Sequence, residues 1–81
     1  MKTHELKTWP RAYDAMKAEV KTFEFRKNDR DYEVGDRLLL RRYDPAIEEY
    51  TGEEMWRTVN YILYGGKFGL PKDFVVMAVT P

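Results

Sequence analysis

The chain contains no cysteine, no serine and no glutamine, and its single histidine is His4. Nucleophilic triads built on serine or cysteine are therefore excluded, as is a zinc site made of histidines and thiolates. Any catalysis would have to use Lys, Asp, Glu, Thr or Tyr. His4 reads as a strand residue rather than a ligand or base, and no metal or other cofactor is implied. Without cysteine there is no disulfide framework, which fits a reducing cytosol. No apolar run approaches the roughly 18 residues a membrane span needs, and the N-terminal MKTHELK lacks the apolar core of a signal peptide. A cytoplasmic protein with no membrane partner is expected.

What is present suits a small globular domain. Apolar residues make up 43% of the 81 positions and aromatics 15%, too many for a disordered chain. A chain of this length buries only about 60–65% of its unfolded surface, so its core is thin. One domain spanning 1–81, and a monomer, are expected. The net charge is zero, which weighs against indiscriminate nucleic-acid binding. The charges are unevenly spread all the same. Seven basic residues face five acidic ones between Lys21 and Arg42, whereas Asp44 to Glu54 carries five acidic residues and no basic one.

The segment Lys21–Asp36, KTFEFRKNDRDYEVGD, is the most informative. Its first half reads as a strand over Thr22–Lys27. Strand side chains alternate, so Phe23 and Phe25 point one way and Glu24 and Arg26 the other. With the phenylalanine face on the core, a carboxylate and a guanidinium stand side by side on the opposite face, and Lys21 leans toward them. Such a trio is either a solvated ion pair or the floor of a polar cleft. Asn28–Asp31 is a turn by composition, and Val34-Gly35-Asp36 is a second turn.

The rest of the chain supplies the other elements. His4–Thr8 reads as a short strand. Thr8 caps a helix over Pro10–Glu19, with proline in its first turn. Trp9, Tyr13, Met16 and Val20 form its apolar stripe. Strands follow over Arg37–Tyr43, Glu54–Tyr64 and Phe74–Val79, with Asp44–Gly52 a hairpin loop. The long fourth strand is apolar or aromatic on both faces. One helix and about five strands point to an α+β, mostly β fold: a small curled sheet or barrel, closed fully or in part, with the helix beside it.

In order, the chain carries a helix, then lysine-x-x-glutamate-x-arginine in a strand, then a valine-glycine-aspartate launching the next strand. With HELKTWP (His4–Pro10), YTG (Tyr50–Gly52), YILYGGKFGLP (Tyr61–Pro71) and FVVMAV (Phe74–Val79), this resembles the ASCH domain (activating signal cointegrator homology) of the PUA-like superfamily, over nearly the whole chain. It is similar to a subgroup of small bacterial and phage proteins. The resemblance implies a PUA-like β-barrel of about five strands with one N-terminal helix packed beside it. It also implies a cleft lined by Lys21, Glu24 and Arg26, and RNA or nucleotide as the partner. The family places a glycine two positions before the lysine, where this chain has Glu19. Either Glu19 takes a positive φ, at about 1 kcal/mol, or the helix closes another way.

Three functions are weighed. The leading one is a noncatalytic module for RNA or a modified nucleotide. In it the Arg26 fork suits a phosphate or carboxylate and Glu24 suits a base amine. Trp9 and Tyr61 are stacking candidates, and Lys7, Lys27 and Arg30 are phosphate contacts. The second is an amidohydrolase acting on acylated cytidines, as in one ASCH branch. Its lysine matches Lys21, its threonine position falls on Glu24, and its distant glutamate position falls near Ala78, which leaves Thr22 as the substitute nucleophile. The third is a protein-interaction adaptor presenting Tyr43, Tyr50 and Trp56.

Overall fold

Strand β1 (Thr3–Thr8) alternates exposed and buried residues throughout, although Leu6 is its only aliphatic side chain. Its inward polar residues are tolerated because each is bonded. His4 meets the Asp36 carboxylate at 2.9 Å, and Thr8 Oγ1 donates to the Leu6 carbonyl. The computed structural model describes residues 1–81. After β1 come α1 (Pro10–Lys17), β2 (Phe23–Lys27), β3 (Arg37–Asp44), β4 (Glu49–Tyr64) and β5 (Phe74–Thr80). The strands form one sheet in the order β1-β3-β4-β5-β2, with only the β1–β3 pair parallel. The expected small, mostly β, α+β architecture is what the chain adopts.

The sheet curls until its two edge strands approach each other, and closure is partial. No backbone ladder joins β1 to β2. Guanidinium groups bridge the gap instead: Arg26 Nη2 donates to the Lys7 carbonyl at 3.0 Å and Arg30 Nη1 to the Glu5 carbonyl at 2.6 Å. Acceptors on an open β1 edge are thereby occupied. Inside lie Leu6, Leu38, Leu40, Val59, Ile62, Val75, Met77 and Val79, with Tyr13 and Met16 from α1. Tyr32, from the loop between β2 and β3, joins this core and sets its ring edge-on to His4, 4.8 Å between centroids.

Helix α1 departs from the expectation at both ends. Its N-cap is Trp9, with no side-chain cap bond, because Thr8 is still part of β1 and its hydroxyl serves Leu6. The helix stops at Lys17, two residues early. Glu19 N–H donates to the Met16 carbonyl and Val20 N–H to that of Ala15, which is a Schellman closure. Glu19 is the left-handed residue of that closure, at φ +59°. The chain turns away there, so Val20 is exposed rather than part of the apolar stripe, and Trp9, before the first turn, is 60% exposed. Tyr13 and Met16 alone carry the buried face. Arg42 holds the helix from β3 through a forked pair to Asp14 (3.0 and 3.2 Å), and Arg57 Nη2 donates to the Met16 carbonyl.

Strand β4 begins at Glu49 instead of Glu54. The hairpin zips further because Tyr43 pairs with Tyr50 and Asp44 with Glu49, leaving Pro45–Glu48 as the turn in place of a 44–52 loop. The Asp44 carboxylate accepts from Ala46 N–H within that turn. The apparent two-faced apolarity of β4 has a simple cause. Val59 pairs with Val79 and Tyr61 with Ala78, so Asn60 is an extra, bulged residue. The bulge changes parity, and Val59 and Ile62 both point inward.

The largest correction concerns β2. Phe23 and Phe25 do not meet the core; they are 46% and 49% exposed, while Glu24 is 3% exposed. The inner face of β2 looks onto the end of β1, whose Lys7 carbonyl and Thr8 hydroxyl accept from Arg26, while Lys21 and Arg26 supply the cations that pair with Glu24. Aliphatic residues of β3, β4 and β5 and the Tyr32 ring already fill the interior. The phenylalanines settle outside, Phe25 stacking on Phe74 of β5 at 5.1 Å between centroids.

Candidate functional site

A cleft of about 320 Å³ opens where β1 ends, α1 begins and β2 runs past. Lys7, Thr8, Trp9, Ala12, Lys21, Glu24, Phe25 and Arg26 line it. The Schellman closure of α1 decides where Lys21 falls, since Lys21 N–H also donates to the Ala15 carbonyl. From there its ammonium reaches Glu24 Oε2 at 2.7 Å and the Phe23 carbonyl at 2.6 Å. Arg26, two residues on and on the same face as Glu24, donates to Glu24 Oε1 from Nε (3.1 Å) and Nη2 (3.0 Å). A carboxylate this deeply buried is stable only when paired on both oxygens, and here it is.

This arrangement gives the three groups different duties from those the sequence suggested. Glu24 is occupied by two neighbours and does not stand ready to read a base; it holds Lys21 and Arg26 in place. Arg26 Nη2 is further engaged by the Lys7 carbonyl and, at 3.5 Å, by Thr8 Oγ1. Arg26 Nη1 makes no bond within the protein, and Lys21 has a third donor to spare. Two cations against one carboxylate leave the cluster with one net positive charge. Across from it, Trp9, Ala12 and Phe25 supply an apolar wall.

The structure brings together Lys21, Glu24, Arg26 and Trp9 among the expected site residues. Lys7 lines the cleft as well, but its ammonium lies 4.1 Å above the Tyr43 ring, so its carbonyl is the part engaged there. Lys27, Arg30 and Tyr61 are elsewhere. Lys27 and Tyr61 are exposed on the outer face of the sheet, and Arg30 is spent on the Glu5 carbonyl. Thr22 is exposed and does not line the cleft. Sequence reasoning missed Thr8, Ala12 and Phe25. The inward parity of Thr8 in HELKT was the one available signal.

Asp36, read only as a turn residue, is the second polar centre. Its Oδ1 accepts from Lys2 N–H (2.9 Å), and its Oδ2 from Glu33 N–H (3.0 Å) and His4 Nε2 (2.9 Å). Burial pushes this carboxyl upward, but the bonds from Lys2, His4 and Glu33 outweigh it and hold the group below its ordinary value. Its role is to tie β1 to the start of β3. The adaptor patch is partly covered by arginines: Arg41 lies 4.0 Å over the Tyr50 ring and Arg37 5.2 Å over Trp56, beside an edge-on Tyr43–Tyr50 contact.

Fold and site together define a small α+β protein, a curled five-stranded sheet with a cationic, aromatic-walled cleft at its seam. The chain belongs to the family described as domain of unknown function DUF3850, which matches it over residues 3–79. No curated protein matches it.

Proposed function

We propose that the cleft binds a nucleotide, free or within RNA, and that the chain is a noncatalytic binding module of the ASCH, PUA-like type. One observation carries this reading: Arg26 Nη1 and a Lys21 proton have no partner in the protein and border the same hollow as the Trp9 ring. A guanidinium and an ammonium suit a phosphate, and an exposed indole suits a flat base. A volume near 320 Å³ lies at the small end of ligand sites, the scale of one nucleotide. Binding is favoured over amide hydrolysis because the Lys21 ammonium is committed to Glu24 at 2.7 Å and Thr22 lies outside the cleft. Release of cytidine from N4-acetylcytidine would reverse that preference.

Isothermal titration with the four nucleoside 5′-monophosphates tests the reading. Trp9→Ala removes an exposed ring that makes no structural bond, and Arg26→Lys keeps a cation for Glu24 while removing the free fork nitrogen. Each should weaken binding by about tenfold or more, since a stacked base or a charged hydrogen bond is worth about 1–3 kcal/mol. A shallow salt dependence is expected from so few phosphate contacts. Unchanged affinity in both variants, or no binding by the native protein at millimolar nucleotide, would refute the cleft.

A further inference from the structure

The reversal of β2 leaves an uncovered aromatic surface on the outside of the sheet. Register places Phe23, Ala78 and Tyr61 in one row across β2, β5 and β4, and Phe25, Val76 and Leu63 in the next. Tyr61 is 65% exposed, and no helix packs on these rows. A hollow of about 300 Å³ adjoins them, lined by Tyr61, Leu63, Tyr64, Lys67 and Phe68 among others. Phe68 is 85% exposed and sits at φ +54°, a conformation a bulky side chain rarely adopts. The loop thus holds a phenyl ring in solvent against its own backbone preference.

The geometry points to a single-stranded RNA as the occupant of this face, entering from the cleft and running outward over the rings. The inference rests on the nucleotide reading above. Three features favour it over a second copy of the chain or another protein. Firstly, the face is continuous with the cleft: Phe25 borders both, and the Lys21 ammonium that bonds Glu24 also lies 4.8 Å over the Phe23 ring. Secondly, its charge complements a polyanion. Lys27 flanks Phe74 on these strands and Lys67 lines the hollow, no acidic side chain belongs to either row, and the acidic stretch 44–54 lies at the other end of β4. Thirdly, the spacing suits unstacked bases. Phe23 and Phe25 are two strand residues apart, about 6.5–7 Å, whereas bases in a duplex repeat about every 3.4 Å along each strand. Rings spaced this widely receive splayed bases, the form in which single-stranded RNA is bound by stacking.

The test measures fluorescence anisotropy of a labelled octaribonucleotide beside titration of a nucleoside 5′-monophosphate. The native protein should bind the octamer at least tenfold more tightly than the mononucleotide. Tyr61→Ser and Phe68→Ser, both exposed and outside the cleft, should each weaken the octamer about fivefold or more while leaving the mononucleotide unchanged, with unaltered circular dichroism. Phe23→Ser should weaken the octamer likewise. An octamer no tighter than the mononucleotide, or octamer affinity unchanged from the native protein's in all three variants, overturns the proposal and leaves the cleft standing. Octamer binding that depends on Tyr61 and Phe68 without any mononucleotide binding refutes the cleft and leaves this face standing. Sedimentation of the native chain as a dimer that Tyr61→Ser and Phe68→Ser convert to monomer identifies the face as a self-association surface and overturns the RNA assignment.

Discussion

Glu24 illustrates how a single residue can keep a sequence-level importance while changing its role. Its neighbours Lys21 and Arg26 marked it from the start, and the three head groups do converge. Its burial, however, makes it the anchor of two cations rather than a ligand contact. Glu19 is the converse case, a residue whose oddity lies in the backbone. It occupies the left-handed position of the helix closure with an exposed side chain that makes no hydrogen bond or ion pair. Glu19→Gly should therefore stabilise the protein by about 0.5–1 kcal/mol, the relief of left-handed strain less the extra freedom glycine gives the unfolded chain. Urea denaturation would measure it, as a higher midpoint at unchanged slope. A lower midpoint would mean that the strain argument fails at this position.

Local signals placed most elements at the scale of strands and turns. Alternation in β2, the turn and leucine run of β3 and the apolar run of β5 identified these strands to within a residue or two, and Pro10 located the start of α1. The errors share a cause: each depended on what lay across from the segment. The early start of β4 is set by pairing with Tyr43 and Asp44, and its inward residues by the Asn60 bulge, which no window of β4 alone reveals. The Gly65–Gly69 stretch includes one steric requirement. Gly65 N–H donates to the Phe74 carbonyl, and a Cβ on Gly65 would collide with the Pro71 carbonyl and come within 2.7 Å of that of Phe74. Both obstacles are backbone, so neither can swing aside. Gly65→Ala should cost about 1–3 kcal/mol, as overpacking does, visible as a lower melting temperature. An unchanged melting temperature would show that the loop ahead of β5 yields more easily than its bonding suggests.

The molecule as a whole is held shut by polar links as much as by its thin core. Arginines span the β1–β2 seam, and the Asp36 carboxylate joins residues 2, 4 and 33. That carboxyl lies below its ordinary value of 3.8 in the folded state, because the hydrogen bonds from Lys2, His4 and Glu33 exceed the upward push of burial. The folded state thus binds the proton less readily than the unfolded chain. Its contribution to stability is complete above about pH 4 and is lost as the pH falls through the folded-state value. The melting temperature should be lower for Asp36→Asn than for the native chain at pH 7, and its decline between pH 4 and pH 2 should be shallower. Parallel curves for the two proteins would assign the acid sensitivity to other carboxylates.

Strand periodicity, turn chemistry and the absence of reactive side chains were written into the chain one neighbourhood at a time, so the α+β class, the near-complete element order and the Lys21–Glu24–Arg26 grouping could be read directly. Which side of β2 turns inward could not. Alternation separates two faces without saying which is inside, and hydrophobicity alone assigned the phenylalanines there. The answer came from distant residues: the Lys7 carbonyl and Thr8 hydroxyl at the end of β1 hold Arg26 beside Glu24, and Tyr32 with the leucines and valines of β3, β4 and β5 had already filled the space the phenylalanines would have needed. Burial of a charged trio beside exposed aromatic rings follows from that competition for volume and for hydrogen-bond partners, which exists only once the sheet has curled.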